Sequence, residues 1–295
     1  MVTKINLLLI LRQKIADYKM LVKFGLNIVV VVSAIAAYLT TITGSVDWSK
    51  VLTLGVAGFL ITGAANALNE VLEKDYDKIM NRTSNRPLAA GRMTTSEAVL
   101  AAGLMSLAGL SFLALFNPLT VFLGSLSLIS YAFIYTPLKR VSPIAVLVGA
   151  VPGALPVLIG SVAVSGHLTT LSIALFAIQF LWQFPHFWAI AWVADEDYKR
   201  AGFNLLPSKS GRLDESVGWN AFVYTAFLIP VGCGPYALGY TGVCSAIVLV
   251  LLGVVFAFYA FMLYKNCSRE AARNLMFSSF FYLPIAQFAM VFDKL

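Results

Sequence analysis

The sequence predicts an all-α, multi-pass membrane protein: about nine transmembrane helices in a bundle, under a polar cap on one face. Three observations predict it. Hydrophobic residues make up 59% of the 295-residue chain and charged residues only 12%. Apolar runs of about 20 residues recur from residue 22 onward, each long enough to cross a bilayer as a helix. Of the 21 Lys and Arg residues, all but Lys50 and Lys294 fall in the N-terminal arm or in alternate connections between those runs.

Lipid offers no hydrogen bonds to a backbone, so each run is expected to be helical. No alternating pattern supports a barrel. The expected spans are 22–42, 51–70, 96–116, 118–136, 142–163, 169–193, 217–238, 242–264 and 275–292. The boundary at Asn117-Pro118 is the least sharply drawn. Residues 1–21 read as a cytoplasmic amphipathic arm. Their short apolar run, Leu7 to Leu11, is followed by charges and lacks a small-residue cleavage site, unlike a signal peptide.

The cations orient the bundle. Lys4, Arg12, Lys14 and Lys19 precede the first span and Lys23 lies at its very start; Lys74, Lys78, Arg82, Arg86 and Arg92 follow the second. Lys139 and Arg140 follow the fourth; Lys199, Arg200, Lys209 and Arg212 follow the sixth; Lys265, Arg269 and Arg273 follow the eighth. The positive-inside rule then puts the N-terminus in the cytoplasm and the C-terminus outside. The net charge of +7 is accounted for largely by this asymmetry, and no nucleic-acid partner is expected. Cys233 and Cys244 flank one short outer connection, so a disulfide is conceivable there. Isolated thiols are the favoured reading, and no cysteine–histidine cluster suggests zinc.

Two inner connections, 71–95 and 194–216, are long and polar. Leading into the first, Asn69, Glu73 and Asp77 follow one another at intervals of four. On a helix each such step turns by roughly 40°, so the three share a face. Oxygen ligands at a membrane boundary suit Mg²⁺, which is commonly held by a few carboxylates plus substrate phosphates. Arg82 and Arg86 offer forks for phosphate oxygens. The competing reading is a solvated helix end, with Glu73 and Asp77 paired to Lys74 and Lys78.

The second constellation runs from Trp182-Gln183-Phe184-Pro185-His186-Phe187 to Asp195-Glu196-Asp197. An unbroken helix would set His186 and Asp197 on one face. A histidine within a span faces the bundle interior by default. It serves there either a ligand or a neighbouring helix. Trp182, Phe184, Phe187, Trp188 and Trp192 either line a cavity or form an interfacial belt, and for Trp192 the belt is favoured.

Asn69-x-x-x-Glu73-x-x-x-Asp77 followed by Asn85-Arg86-Pro87-Leu88 resembles the first signature of the UbiA-type intramembrane prenyltransferases, which usually carry Asp where this chain has Glu73. Tyr135-x-x-x-Lys139-Arg140 is similar to another element of that family. The segment around His186, with Gly149-Ala150-Val151-Pro152 upstream, resembles the haem branch, the protohaem IX farnesyltransferases or haem O synthases. That branch tends to carry a second Pro where this chain has Val157, and Asn where it has Ala145.

The resemblance implies one integral-membrane prenyltransferase domain over residues 1–295, in a bacterial plasma membrane. It implies farnesyl diphosphate and haem B as substrates in the lipid bilayer, with haem O as product. The next enzyme of haem A synthesis is a candidate partner. It implies Mg²⁺ held by Asn69, Glu73, Asp77, Asp195 and Asp197, with Asn69, Glu73, Asp77 and Asp197 catalytic. Arg82, Arg86, Lys139, Arg140 and Lys199 would hold the diphosphate. Tyr135, Trp182, Gln183 and His186 would line the acceptor pocket. A secondary transporter, the rival class, would show two related halves with charges at mid-membrane, and neither is visible.

Overall fold

The computed structural model describes the backbone of residues 2–203, 205–209 and 212–295, and the side chains of 9–203, 205–207 and 214–295. The cations Lys4, Lys209 and Arg212 therefore lie outside the described side chains. Helix α1 (Val2–Leu21) is followed by α2 (Phe24–Thr41), α3 (Trp48–Asp77), α4 (Thr95–Ala114) and α5 (Pro118–Ile129). A π-helical segment, Ser130–Tyr135, joins α5 to the short α6 (Thr136–Leu138). Then come α7 (Ala145–Ser165), α8 (Thr170–Val193), α9 (Asp195–Arg200), and a two-stranded antiparallel ribbon of β1 (Ser208–Lys209) and β2 (Arg212–Leu213). Finally α10 (Ser216–Gly232), α11 (Gly234–Ala237), α12 (Val243–Asn266) and α13 (Arg269–Phe292) complete the chain.

Among the described residues nine helical stretches are long and apolar enough to span a membrane. Their outward faces carry large apolar side chains such as Leu107, Phe122, Leu251 and Phe281, all exposed. Water would penalise such a surface, whereas lipid accepts it. The chain is an integral, multi-pass membrane protein.

Local chemistry sets most helix ends. Asp47 caps α3 by accepting the Ser49 amide at 3.0 Å, and Thr169 with Ser172 forms a capping box at α8. The Asn117 side chain accepts the Thr120 amide, with Pro118 in the first turn of α5. These caps put the ends close to where the hydropathy puts them. Two elements differ. Helix α3 runs seven residues past the apolar stretch to Asp77, and α13 begins at Arg269, capped by Ser268, rather than at 275. Both extensions are polar turns that continue a helix beyond the lipid.

The spanning helices form a ring, α2-α3-α4-α5-α7-α8-α10-α12-α13, closed by α13 against α2. Helix α7 also packs on α2, so it is the most enclosed span. Its small residues allow this: a Cβ at Gly160 would stand 2.0 Å from the Ala34 carbonyl oxygen, and one at Gly149 would meet the Tyr135 ring at 2.6 Å. At the end of the bundle away from the cation-rich connections, Lys294 donates to the carbonyls of Leu39 (2.8 Å) and Ile42 (3.0 Å), tying the C-terminus to the end of α2. The three cysteines are free. Trp192, expected in an interfacial belt, is instead buried at 5% exposure in the packed core of α8, α10 and α13.

Candidate active site

The site grows from the last two turns of α3. Asn69, Glu73 and Asp77 are all buried, at 1%, 5% and 0% exposure. Each meets one cation. The Asp77 carboxylate takes the Arg86 guanidinium at 2.8 Å, and Glu73 takes Lys139 in close contact. Asn69 Oδ1 accepts from Lys23 Nζ at 2.6 Å, and its amide donates to Thr136 Oγ1 at 3.0 Å. These partners come from three separate stretches: the turn before α2, the connection after α3, and the end of α6. The local pairing of Glu73 and Asp77 with Lys74 and Lys78 is not what forms. Lys78 pairs with exposed Asp75, and Lys74 donates to Thr95.

Backbone geometry explains the convergence. Lys23 sits in the left-handed region, φ 48°, at the corner between α1 and α2. Asn66 donates to the Val22 carbonyl at 3.2 Å and fixes that corner from one turn below Asn69. On the opposite wall Pro137 has no amide to give and would crowd the carbonyl four residues earlier in a regular α-helix. The chain widens there into the π-turn, and Thr136 Oγ1 donates back to the Tyr131 carbonyl at 2.9 Å. The widened turn brings Tyr131 and Tyr135 side by side, centroids 5.4 Å apart. Lys139 then lies over the Tyr135 ring at 5.1 Å.

The connection after α3 is folded back rather than splayed. Glu70, fully buried, accepts the Leu88 amide at 3.2 Å, while its second oxygen has no protein partner. Arg92 bonds Asp17 of α1 at 2.9 Å and the Asn85 carbonyl at 2.8 Å. Arg86 is thereby aimed inward. Burial works against its charge, but the Asp77 carboxylate, with Glu70 and Glu73 behind it, outweighs burial and holds its pKa above the usual value. Burial, aided by nearby Arg86 and Lys139, pushes the Lys23 ammonium down to about 7. Glu70, Glu73 and Asp77 thus face Lys23, Arg86 and Lys139 in one buried cluster of three acidic and three basic side chains.

The other sequence candidates sit around this centre. Helix α8 ends at Val193 and α9 starts afresh, so His186 and Asp197 do not share a continuous helix face. On α9, Asp195 pairs with Lys199 at 2.8 Å, and Asp197 with Arg200 at 3.3 Å and the Asn81 amide at 3.4 Å. Arg82 stacks over Tyr198, and Arg140 over Tyr76. His186 Nδ1 lies 2.7 Å from Ser279 Oγ of α13, and the Trp182 indole donates to the Ser279 carbonyl at 3.0 Å. Gln183 donates to the Ala150 carbonyl of α7 at 2.9 Å.

Below Asn69 a cavity of about 80 Å³ opens between α2, α3, the π-turn and α7, lined among others by Asn66, Tyr131, Gly149 and Pro152. Phe187, rather than His186, reaches it from α8. Lys23, Asn66, Glu70 and Tyr131 were not singled out from sequence. Asn66 and Glu70 had a signal: polar side chains on an apolar stretch. Lys23 had none beyond its sign.

The donor set fits Mg²⁺ chemically, being all hard oxygen. Among the described residues no three His, Cys, Asp or Glu side chains close into a cage. Such a set suits a metal shared with substrate phosphates rather than one the protein holds alone.

The family model of the UbiA prenyltransferase family matches residues 30–283. The chain is 47% identical over 279 residues to a protoheme IX farnesyltransferase of Cytophaga hutchinsonii, covering 94% of this chain and 97% of that one. A protoheme IX farnesyltransferase of Flavobacterium psychrophilum is 41% identical over 285 residues, 94% of each chain. Among solved structures, a digeranylgeranylglyceryl phosphate synthase superposes with TM-score 0.79 at 20% identity, covering 95% of this chain and 98% of that one. A UbiA homologue of Archaeoglobus fulgidus bound to GPP and Mg²⁺ superposes with TM-score 0.69 at 17% identity, covering 93% and 99%. The chain belongs to the UbiA prenyltransferase family.

Proposed function

We propose that this protein transfers the farnesyl group of farnesyl diphosphate to a vinyl group of haem B, with addition of water, to give haem O. The observation that carries the prenyl-transfer chemistry is the buried charge cluster at the mouth of an apolar cavity. The named relatives carry the choice of acceptor. The diphosphate docks among Lys23, Arg86 and Lys139, and Asn69, Glu73 and Asp77 supply the ligands for Mg²⁺. Bound there, Mg²⁺ would neutralise diphosphate charge and stabilise it as a leaving group. The three cations spread the charge that develops as the carbon–oxygen bond breaks. The isoprenoid descends into the cavity, where the Tyr131 face meets the electron-poor allylic carbon. Asp195, Asp197 and Lys199 on α9, with Arg82 and Arg140, form the outer rim through which the charged head arrives. Tyr135, Trp182, Gln183 and His186 belong to the wall that would face the porphyrin.

The bundle sits in a bacterial plasma membrane, N-terminus in the cytoplasm and C-terminus outside. The next enzyme of haem A synthesis is its proposed recipient. Mass spectrometry of haems from cells expressing the chain tests the reading: a new haem carrying one hydroxyethylfarnesyl group is expected. Conversion of an aromatic acid by purified protein, with haem B untouched, would overturn it. Asp77→Ala should abolish product, since it removes one proposed metal ligand and leaves Arg86 uncompensated.

A further inference from the structure

Helix α1 is almost uncovered. Leu9, Ile10, Leu11, Ile15 and Tyr18 are all exposed, Tyr18 the least at 39%. Polar contacts hold the helix from one side only. Asp17, 1% exposed, bonds Arg92, and Lys14 and Tyr18 donate to Glu97 at 2.9 and 3.1 Å. Glu97 lies in the first turn of α4, and Arg92 just before it. Helix α1 therefore lies against the cation-rich end of the bundle, where the spans leave the lipid.

The free side is ordered. Leu11, Ile15 and Tyr18 stand at i, i+4 and i+7, so they form one stripe. Arg12 and Lys19, seven residues apart, share one flank of it, and Lys14 lies on the other. Arg12 and Lys19 are exposed, and among the described residues neither meets a carboxylate. The acids nearby are already paired, Asp17 with Arg92 and Glu97 with Lys14. An apolar stripe flanked by unpaired cations matches the boundary between acyl chains and anionic headgroups. The stripe enters hydrocarbon, and the long cationic stems reach back to phosphate. A free phosphate would match the cations and leave the stripe uncovered.

We propose that α1 lies in the headgroup layer and binds anionic phospholipid through Arg12 and Lys19, and that lipid held there steadies the connection carrying Arg86. The route is short. Asp17 holds Arg92, which donates to the Asn85 carbonyl at 2.8 Å and to its side-chain oxygen at 3.0 Å, and Arg86 follows directly. This role requires only the membrane fold and is independent of the prenyl-transfer reading.

The full chain in nanodiscs of phosphatidylcholine, alone or mixed with phosphatidylglycerol, tests it by amide hydrogen exchange. Phosphatidylglycerol should slow exchange across residues 11–21 by about tenfold. It should slow residues 86–92 by a smaller factor and leave α12 unchanged. The double variant Arg12→Ser/Lys19→Ser should lose both effects, and Arg12→Lys/Lys19→Arg should keep them. Asp17→Asn should keep the slowing in α1 and lose it at 86–92. Exchange in α12 matching wild type shows that each variant is folded. Equal exchange of 11–21 in the two discs, or slowing that survives in the serine pair, overturns the lipid site. Equal protection by glycerol phosphate in phosphatidylcholine discs overturns it in favour of a free-phosphate site. Slowing in α1 of the wild type with none at 86–92 overturns the coupling.

Discussion

Lys23 shows how much one side chain gains or loses from its surroundings. It is an ordinary cation in sequence, yet the corner between α1 and α2 swings it onto Asn69. Its pKa falls to about 7, through burial first and then the charges of Arg86 and Lys139. The unfolded chain, with a pKa near the usual lysine value, therefore binds more protons between about pH 7 and 10.5. Stability of the substrate-free protein should rise with pH across that window. Lys23→Met should accordingly be more heat-stable than wild type near pH 7, and the gap should close as pH approaches 10. Thermal unfolding in detergent at a series of pH values checks this. A gap that widens with pH would mean the ammonium is not penalised there. The same substitution should raise KM for the diphosphate, because it removes one of three cations at the proposed docking point.

At the scale of an element, the connection between α3 and α4 is the part most dependent on a few bonds. Its fold hangs on Glu70 accepting the Leu88 amide and on Arg92 bridging Asp17 to Asn85. Glu70→Ala leaves a buried amide without an acceptor, a loss of about 1–3 kcal/mol. It should lower thermal stability and speed hydrogen exchange at residues 86–92, while exchange in α12 stays unchanged. Equal acceleration in both regions would show global loosening rather than a local anchor. The Asp77–Arg86 pair lies within this element, and burial makes it costly to break from one side only. The π-turn before Pro137 plays the matching part on the other wall, setting Tyr131 and Tyr135 against the cavity mouth.

For the whole molecule, the partition of charge makes a prediction about sidedness. Cys244 near the start of α12 and Cys267 just after its end are both exposed. They are separated by 23 residues, about 35 Å of helix, so they lie on opposite sides of the membrane. With half-buried Cys233 replaced by serine, an impermeant maleimide applied to intact cells should label Cys244 and spare Cys267 until the cells are opened. The reverse order would invert the proposed orientation. The site lies at the Cys267 end of the bundle, with the Lys- and Arg-rich connections.

Hydropathy and charge placement by themselves determined that this chain crosses the membrane, how often, and which end of the bundle carries its cations. Those properties depend on residue type summed over 20 positions, and neighbours in space hardly alter the sum. Spacing on α3 likewise determined that Asn69, Glu73 and Asp77 share a face, because helix geometry is local. Only the tertiary structure decided which cations meet them. Lys139 and Lys23 arrive from 66 and 46 residues away, where sequence distance carries no information about contact. It also decided that α8 stops before Asp195, and that Trp192 is core rather than belt. It set the His186 ring against Ser279, and it left a small apolar cavity beneath the charges. Each of these is fixed by which helices pack together. The one-sided charge thus marked the face of the proposed site, but packing chose the few charges that cluster there.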